Sequence, residues 1–415
     1  MVASLPTPGE ARIRSVSLNG LDLSPYVYEL SISESIFKPF RSAELIIIDN
    51  NNIAKQLKLK GNEDIRIAFD AGSGKVYEAK MKVVSPEGAN YSQNMRFQGF
   101  KLNAVSESFF RNKTSTVQKS FKNITGTDAI KKIHEEYKLG GSLNATASKG
   151  FIGENEPYIV SNLNPFDAIQ GIRTRINSEK YKTGAYAYFE DADGNFTLKP
   201  LEELFDTLQA QARLTHKPTM GENFKDMYAQ GYNIIGFQEG ASFNSGTRFD
   251  ITDVLNARKS AKVSTFDTVQ AKYQEGKVKD PQEAKKAGYY NVNDNYGTQD
   301  PRSTTLIPHD KRLEKNNVQA EKSADEQRFI QEVKNGPAAT IQVMLDSGIN
   351  CTVGKGVNAK LAEPIGDMST MSSGNPLGGD MLVVNLKHII KMTGDKPRAT
   401  TTMELAKGGM NKGTT

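Results

Sequence analysis

Short runs in which apolar and polar residues alternate fill the first hundred residues of the chain. In the run DIRIAF, Ile65, Ile67 and Phe69 fall on one side of an extended backbone, and Arg66 and Ala68 fall on the other. A period of two indicates a strand with one buried face, as in antiparallel sheets. Five similar runs occur nearby: RIRSVSL, VYELSISESI, AELIIID, KVYEAKMKVVS and MRFQGFKLNAV. Six such strands in about 95 residues predict a small barrel or sandwich.

Two segments in the middle of the chain have the three-to-four spacing of helices. The first helix is predicted to begin with Thr127 as its N-cap and to end before Gly140, because glycine commonly terminates helices. The second is predicted to follow Asn164-Pro165, a capping residue with proline at the first helical position. Both helices carry an apolar stripe that is typical of a core-facing surface.

A hairpin follows these helices, formed by AYAYFE and FTLKP. The pair Asp193-Gly194 between them is a strong signal for a tight turn. A calcium-binding loop that starts at Asp191 is disfavoured, since Phe196 stands where such a loop needs glycine. The pattern therefore favours a hairpin turn without a metal ion.

From residue 276 to residue 328 the chain becomes polar, and only six of these 53 residues are Val, Ile, Leu, Met or Phe. This composition predicts an extended insertion that passes into a helix over about residues 313–334. The sequence Asn335-Gly336-Pro337 would end that helix. Alternation then resumes in ATIQVMLD.

The order of strand-like runs near the end of the chain parallels the order near its beginning. ATIQVMLDSG, GVNAKLAEP, MLVVNLKHIIK and ATTTMELAK correspond to AELIIIDNN, DIRIAF, KVYEAKMKVVS and MRFQGFKLNAV. The two series share little sequence identity. We therefore predict a structural duplication, in which two β domains have the same strand order.

The strand predicted at 379–392 is apolar on both faces, which indicates that both faces are covered. We assign the face with Val384 to the barrel interior because it is the more continuously apolar. The opposite face carries Met381, Val383 and Ile389, and we predict that it contacts a neighbouring domain or subunit. His388 lies in mid-strand with no nucleophile to serve, so it is predicted to be a packed or interfacial histidine.

Composition and motifs give little indication of catalysis. The chain has 53 basic and 48 acidic residues without a long basic run, so the nucleic-acid footprint is weak. Cys351 is the only cysteine, and the four histidines have no metal-ligand spacing. No nucleophile elbow, phosphate-binding loop or zinc motif occurs. We therefore predict no catalytic, cofactor-binding or metal-binding residues.

No secretion or membrane signal is expected. Residues 1–10 lack a basic segment followed by an apolar stretch, and no apolar run reaches 18 residues. A single cysteine fits synthesis in a reducing cytoplasm. Residues 1–10 are predicted to form a flexible arm.

Three stretches carry a resemblance to a known family. NPLGGDMLVVNLKHII (375–390) resembles the closing barrel of the central hub proteins of contractile phage baseplates. ATTTMELAKGG resembles the last strand of that family, and NPFDAI with its following hairpin resembles its mid-chain helix and hairpin. Met381 stands where an aromatic residue is commoner, and the insertion at 276–328 has no counterpart. The hub part of type VI secretion spike proteins is related to this family.

The resemblance implies a mainly β fold with helical insertions, in which two tandem tube-type β-barrels flank a helix-and-hairpin domain. It also implies a homotrimeric, pseudo-hexameric ring that joins a hexameric tail tube to a trimeric central spike. The ring would contact other baseplate subunits, sit in the virion after assembly in the host cytoplasm, and pass DNA without gripping it. The predicted units are an arm (1–10), the first barrel (11–110), an intermediate domain (111–220), the second barrel (221–275 and 336–409), a polar insertion with a helix (276–335) and a tail (410–415).

Three hypotheses for function follow from these observations. The first is a non-enzymatic baseplate hub. The second is a related spike or injection-system subunit that carries an effector; because the last predicted strand is followed only by a short tail, the hub is favoured over it. The third is a β-rich carbohydrate-active enzyme, which would need two converging carboxylates that sequence alone cannot identify.

Overall fold

Strands dominate the computed structural model of the chain, and short helices lie between them. The predicted fold class, mainly β with α insertions, is confirmed by a 13-stranded sheet that contains strands from both ends of the chain. The structure describes residues 9–49, 53, 57, 59–87, 99–149, 151–154, 156–178, 180, 186–216, 224–239, 262–267, 272–276, 304–309, 338–361, 379–393 and 396–406.

The first barrel is built from the alternating runs at the start of the chain. Its main strands lie in the order β3-β4-β7-β6-β5-β1, and every pair in this order is antiparallel. The strands are β1 (Ala11–Leu18), β2 (Leu21–Asp22), β3 (Val27–Ser35), β4 (Ser42–Ile48), β5 (Asp64–Ala71), β6 (Val76–Glu87) and β7 (Gly99–Val105).

An intermediate unit follows, with a core of its own formed by two helices and several short strands. Its helices are α1 (Glu107–Thr114), α2 (Gly126–Glu136) and α3 (Pro165–Arg173). The next helix, α4 (Leu201–Asp206), packs Leu201 and Leu204 into the core of the second barrel. Its strands are β8 (Val117–Phe121), β9 (Ile124–Thr125), β10 (Leu143–Ala145), β11 (Ser148–Lys149), β12 (Phe151–Ile152), β13 (Tyr158–Leu163), β14 (Asn177–Ser178), β15 (Tyr186–Glu190) and β16 (Phe196–Pro200).

The rest of the chain supplies the second barrel and a separate small sheet. The strands are β17 (Ala210–Thr215), β18 (Ile234–Glu239), β19 (Lys262–Asp267), β20 (Lys272–Gly276), β21 (Thr304–His309), β22 (Ala338–Met344), β23 (Gly356–Lys360), β24 (Gly379–Thr393) and β25 (Lys396–Ala406). The helices are α5 (Phe224–Ala229) and α6 (Leu345–Gly348). The second barrel has the strand order β18-β22-β25-β24-β23-β17. A backbone bridge between His216 and Ile234 links its two ends.

One hairpin belongs to both barrels. The first part of β24 pairs with β23 of the second barrel, whereas residues 385–391 of the same strand pair with β3 of the first barrel. On the far side of the hairpin, Arg398 of β25 bridges Glu10, and the Ala399 N–H donates to the Gly9 carbonyl at 2.9 Å. The end of the β24–β25 hairpin therefore fills the gap between β3 and β1 and completes the first barrel.

The two barrels repeat one pattern of strand pairing. The pairs β3·β4, β4·β7, β7·β6 and β6·β5 of the first barrel correspond to β18·β22, β22·β25, β25·β24 and β24·β23 of the second. All eight pairs are antiparallel. The outermost positions differ, because β1 is antiparallel to β5 whereas β17 is parallel to β23. The predicted common strand order is thus present in four consecutive pairs of each barrel.

Three predicted domain limits differ from the observed pairing. Ala210–Thr215 was assigned to the intermediate domain, but it pairs with β23 and lies in the second barrel. Strands β19 and β20 were assigned to the second barrel, but they form a three-stranded sheet with β21 of the predicted insertion. Gly9 and Glu10 were assigned to the flexible arm, yet backbone hydrogen bonding holds them beside β25. The helix predicted at 313–334 and the tail at 410–415 lie outside the described residues.

The first helix begins slightly earlier than the sequence suggested. Its N-cap is Thr125, whose hydroxyl accepts from the Asp128 N–H at 3.1 Å, and not the predicted Thr127. Thr127 is buried, and it instead exchanges hydrogen bonds of 3.0 and 2.9 Å with Ser148 of β11. The second helix begins at Pro165 after Asn164, as predicted. The Thr127 hydroxyl therefore accepts a hydrogen bond from β11 and does not cap the helix.

The predicted hairpin is present as β15 and β16, which pair in antiparallel register. The Asp191 carboxylate accepts from the Asp193 and Asn195 N–H groups at 3.0 and 2.9 Å, and Gly194 has φ of +79°. Aspartate side chains that accept from the backbone two residues later are a common way to build turns. This carboxylate serves the turn, which confirms the prediction of a hairpin turn.

Candidate functional site

Strand β24 changes its inward face where it passes from one barrel to the other. The residue Val384 is an extra residue, or bulge, relative to β25. A bulge shifts the alternation of side chains by one position. Before it, Met381 and Val383 are buried in the second core; after it, Ile390 belongs to the first core.

The predicted assignment of faces is therefore wrong for the first half of the strand. Val383 lies opposite Leu405 and Leu386 lies opposite Met403, so the bulge puts Val383 on the same face as Leu386, although the prediction placed them on opposite faces. Residues on both faces of this half of the strand, Met381 to Val384, are buried in the core of the second barrel. Val384, which was assigned to the interior, lies where the barrels meet, and its carbonyl accepts from the Ile36 N–H at 3.0 Å. The role of Met381, Val383 and Ile389 at a subunit interface stays a prediction, and among the three only Ile389 retains exposed surface.

His388 is packed inside the protein, which is one of the two environments that the sequence predicted for it, packed or interfacial. Its ring lies 5.2 Å from the ring of Tyr77 and 6.3 Å from that of Phe69, measured between centroids. Its Nδ1 atom shares a 2.9 Å hydrogen bond with the Thr401 hydroxyl. Burial lowers the pKa of His388 from 6.5 to about 3, so this ring is neutral at physiological pH.

A buried ion pair joins the first barrel to the intermediate unit. The Arg41 Nε donates to the Glu190 carboxylate at 3.2 Å, and the side chains are 6% and 4% exposed. The Arg41 Nη1 also donates to the Ala192 carbonyl at 2.5 Å. The Ser106 and Ser108 hydroxyls donate to the other Glu190 oxygen at 2.5 and 2.9 Å. Each charge thus has both an opposite charge and further hydrogen bonds, which a buried pair requires.

The same network continues into the second barrel. The Arg41 Nη1 donates to the Tyr77 hydroxyl at 3.4 Å, and that hydroxyl donates to one Glu34 oxygen at 3.3 Å. The other Glu34 oxygen accepts from the Thr352 hydroxyl at 3.0 Å. Thr352 lies in the segment between α6 and β23. This polar junction, formed by residues 34, 41, 77, 106, 108, 190 and 352, therefore connects all three units.

The junction holds one guanidinium and two carboxylates. Glu190 takes the direct ion pair with Arg41, and Glu34 is left with hydroxyl and backbone donors. Burial raises the pKa of Glu34 from 4.5 to about 7, and the attraction of Arg41 only partly offsets it. Glu34 therefore binds a proton in the folded protein at pH values where an exposed glutamate is ionised.

A cleft of about 680 Å³ opens beside this junction, between the first barrel and the intermediate unit. Its charged lining is balanced, with basic Arg41, Arg66, Lys80 and Arg111 and acidic Glu78, Glu107, Glu190 and Asp193. Equal numbers of both signs do not favour a polyanion such as nucleic acid. The Glu190 oxygens on its floor accept hydrogen bonds from protein donors, so this carboxylate acts as a structural acceptor.

The part of the chain that the structure describes contains no group of three or more His, Cys, Asp or Glu side chains arranged to hold a metal ion. None of its helices combines the length and the apolar character needed to cross a membrane.

The sequence carried a signal for one member of the polar junction. Leu30 and Ile32 lie on the buried face of β3, and Glu34 continues the same face two residues later. A carboxylate at an interior position could therefore have been inferred from the alternation. Arg41 and Glu190 carry no such signal, because their pairing joins residues 149 positions apart.

Comparison with solved structures assigns this architecture to a known fold. A tail protein from Neisseria meningitidis MC58 aligns with a TM-score of 0.57 over 97% of this chain and 98% of its own, at 14% identity. The 43 kDa tail protein of prophage MuSo2 from Shewanella oneidensis aligns with a TM-score of 0.54 over 96% and 97%, at 10% identity. The chain therefore has the fold of these two tail proteins across almost its whole length.

A type VI secretion component from E. coli, described as similar to the T4 tail proteins gp27 and gp5, aligns with a TM-score of 0.48 at 8% identity; 96% of this chain and 76% of that chain are covered. No protein-family model matches the sequence, and no curated protein matches it.

Proposed function

We propose that the chain is a non-catalytic structural subunit of a phage tail baseplate, the central hub. Three copies would form a ring with six barrels, which would join a hexameric tail tube to a trimeric central spike. The ring would also contact other baseplate subunits. It would sit in the virion after assembly in the host cytoplasm, and DNA would pass through its lumen during ejection.

The observation that carries this proposal is the repeated barrel within one chain, in a fold shared with phage tail proteins. Two barrels with the same strand pairing give each chain two similar faces. A threefold ring of such chains offers six similar positions on one side while it keeps trimeric symmetry elsewhere. This geometry would solve the mismatch between a sixfold tube and a threefold spike.

The polar junction supports a mechanical role. A subunit that transmits load between tube and spike needs its units held in fixed positions. The network from Glu190 through Arg41 to Thr352 is buried, and it ties the intermediate unit and both barrels together. Buried networks whose members are satisfied restrict the relative motion of the elements they join.

Light scattering coupled to size exclusion tests the proposal. We expect a mass near three times the 45.6 kDa of one chain, about 137 kDa, and six lobes around a lumen in negative-stain images. Addition of a cognate tube protein should shift the complex to higher mass. A monomer at every concentration, or a closed dimer, would contradict the proposed ring.

A further inference from the structure

The floor of the cleft beside the polar junction carries a hydrogen-bond donor that the protein leaves unused. The Arg41 side chain is 6% exposed; its Nε donates to Glu190, and its Nη1 donates to Tyr77 and Ala192. Its Nη2 atom makes no hydrogen bond with the described part of the chain. Gly194 lines the cleft next to this atom, and a Cβ there would stand 3.7 Å from it. Because Gly194 has no side chain, the Arg41 Nη2 stays open to the cleft.

One wall of the cleft carries two cations that face each other across neighbouring strands. Arg66 of β5 lies directly opposite Lys80 of β6, and both residues are exposed and line the cleft. The Cβ atoms of a directly opposite pair are about 4.5–5.5 Å apart, and like charges at such positions are destabilising. Neither cation has an ion-pair partner among the residues that the structure describes. The chain therefore keeps an unfavourable pair of charges on the wall of the cleft.

The remaining charges of the lining restrict the kind of anion that fits. Arg111 is occupied, since its Nε and Nη2 donate to Glu107 at 3.2 and 2.9 Å. Glu78 and Asp193 also line the cleft, and neither forms an ion pair within the described ranges. These two carboxylates would repel a ligand with many negative charges. A ligand with one carboxylate, in contrast, meets two free wall cations and the open donor of Arg41.

We propose that the cleft binds a single carboxylate carried by a side chain of another polypeptide. The Arg41 Nη2 would donate to a carboxylate oxygen, and Arg66 and Lys80 would supply the attracting charge. Glu190 already neutralises Arg41, so the wall cations are needed to favour an anion over a neutral acceptor. A hydrogen bond to an ionised acceptor is about twice as strong as one between neutral groups. The cleft of about 680 Å³ has the size of a typical ligand pocket, which suits a short segment of a partner.

The character of the lining favours a polypeptide over a free small molecule. Sites for small molecules are lined mainly by apolar and aromatic side chains. Among the residues that line this cleft, eight are charged and none is aromatic. A carboxylate held by a few polar contacts gains affinity when its segment belongs to a larger interface, because the second contact is then intramolecular. The inference rests on the proposed role of the chain as a subunit that contacts other proteins, and it adds a site to that role.

Peptide binding to the full chain tests the site. The probe is the blocked peptide acetyl-Gly-Gly-Glu-Gly-Gly-amide, and the same peptide with glutamine in place of glutamate is its control. Saturation-transfer NMR should detect the glutamate peptide with a Kd of about 1 mM, as expected for a few polar contacts. The glutamine peptide should bind about threefold more weakly or worse. Equal affinity of the two peptides, or no binding of the glutamate peptide at about 10 mM, would overturn the proposal.

Substitutions on β5 and β6 locate the binding. Arg66→Gln and Lys80→Gln each remove one wall cation, and we expect each to weaken binding of the glutamate peptide about threefold or more. Lys82→Gln is the matched control, since Lys82 lies two residues further along β6, outside the lining, and pairs with Asp64 at 2.9 Å. This control should leave the affinity unchanged. If it weakens binding as much as Lys80→Gln does, the peptide follows the general charge of the sheet and the assigned site is wrong.

Zero-length cross-linking provides a second measurement that needs no variant. A carbodiimide activates the peptide carboxylate, which then forms an amide bond with a lysine amine that it contacts. After digestion and mass spectrometry we expect the peptide on Lys80, and not on Lys82 or on the exposed Lys75 of the β5–β6 turn. Labelling that is spread equally over these three lysines would overturn the assignment to the cleft.

The outcomes separate this site from the proposed ring. If the chain is a trimer but binds the two peptides equally, the site is wrong and the ring stands. If the chain is a monomer that binds the glutamate peptide at Lys80, the site stands and the ring is wrong. If Arg66→Gln and Lys80→Gln bind as tightly as the parent, while thermal melts show both variants folded, the wall cations do not attract the carboxylate and the inference is overturned.

Discussion

Replacement of Glu34 by glutamine should change how the stability of the protein depends on pH. The folded protein raises the pKa of Glu34 from 4.5 to about 7 through burial. Between these two pH values the folded chain holds a proton that the unfolded chain has released. The stabilising contribution is therefore complete below pH 4.5 and is lost as pH rises to 7.

The magnitude follows from the size of the shift. A rise in the pKa of Glu34 from 4.5 to about 7 corresponds to about 3 kcal/mol, since one pKa unit is worth about 1.36 kcal/mol. Glutamine is neutral and similar in shape, and it can still bond to the hydroxyls of Tyr77 and Thr352. Relative to the parent, Glu34→Gln should therefore gain about 3 kcal/mol in free energy of unfolding between pH 4.5 and pH 7.5.

Urea denaturation of both proteins across this pH range measures the difference directly, since contributions from other titrating groups cancel. Glu44→Gln serves as the control, because Glu44 is 50% exposed and forms only surface ion pairs with Lys101 and Lys387. The free energy of unfolding of Glu44→Gln should stay within about 0.5 kcal/mol of that of the parent across this pH range. A difference between Glu34→Gln and the parent that does not vary with pH would refute the reasoning.

Other substitutions probe the junction and the cores. Arg41→Met leaves Glu190 buried without its cation, and we expect urea denaturation to show a free energy of unfolding lower by about 3–5 kcal/mol. A decrease of less than about 1 kcal/mol would contradict the role of Arg41 in holding the junction together. Gly354→Ala forces alanine into a left-handed backbone, and its Cβ would lie 2.3 Å from the Phe189 ring. Gly20 also has a positive φ, but nothing lies within 4 Å of a Cβ there, so Gly20→Ala should cost about 1–2 kcal/mol. Gly354→Ala should therefore lower the free energy of unfolding clearly more than Gly20→Ala. Val383→Asp should lower the melting temperature of the monomer strongly, because it buries an unpaired carboxylate in the second core; normal folding of this variant would show that the face assignment from the structure is wrong.

Much of the fold follows from alternation, and the exceptions have identifiable causes. Runs such as DIRIAF predicted strands because a strand with one buried face has apolar residues at every second position. The same argument failed in β24, since a bulge at Val384 shifts the period and residues on both sides of it are apolar. Strand β21 was missed because a polar composition does not indicate a strand, and β19 and β20 were assigned to the second barrel although they pair with β21 in a separate sheet. The polar junction was largely hidden, because its ion pair joins distant residues.

The shared hairpin also has a consequence for synthesis. Residues 385–391 must reach β3 before the first barrel is complete, so a barrel that starts at residue 11 waits for more than 370 further residues. Contacts of such long sequence separation slow folding, and unfinished sheets expose edges that aggregate. A nascent chain would thus carry an open β3 edge through most of its translation, in reach of any other strand in the cell. Chaperones or rapid burial against another protein would protect that edge, and a premature stop before residue 385 would leave it open permanently.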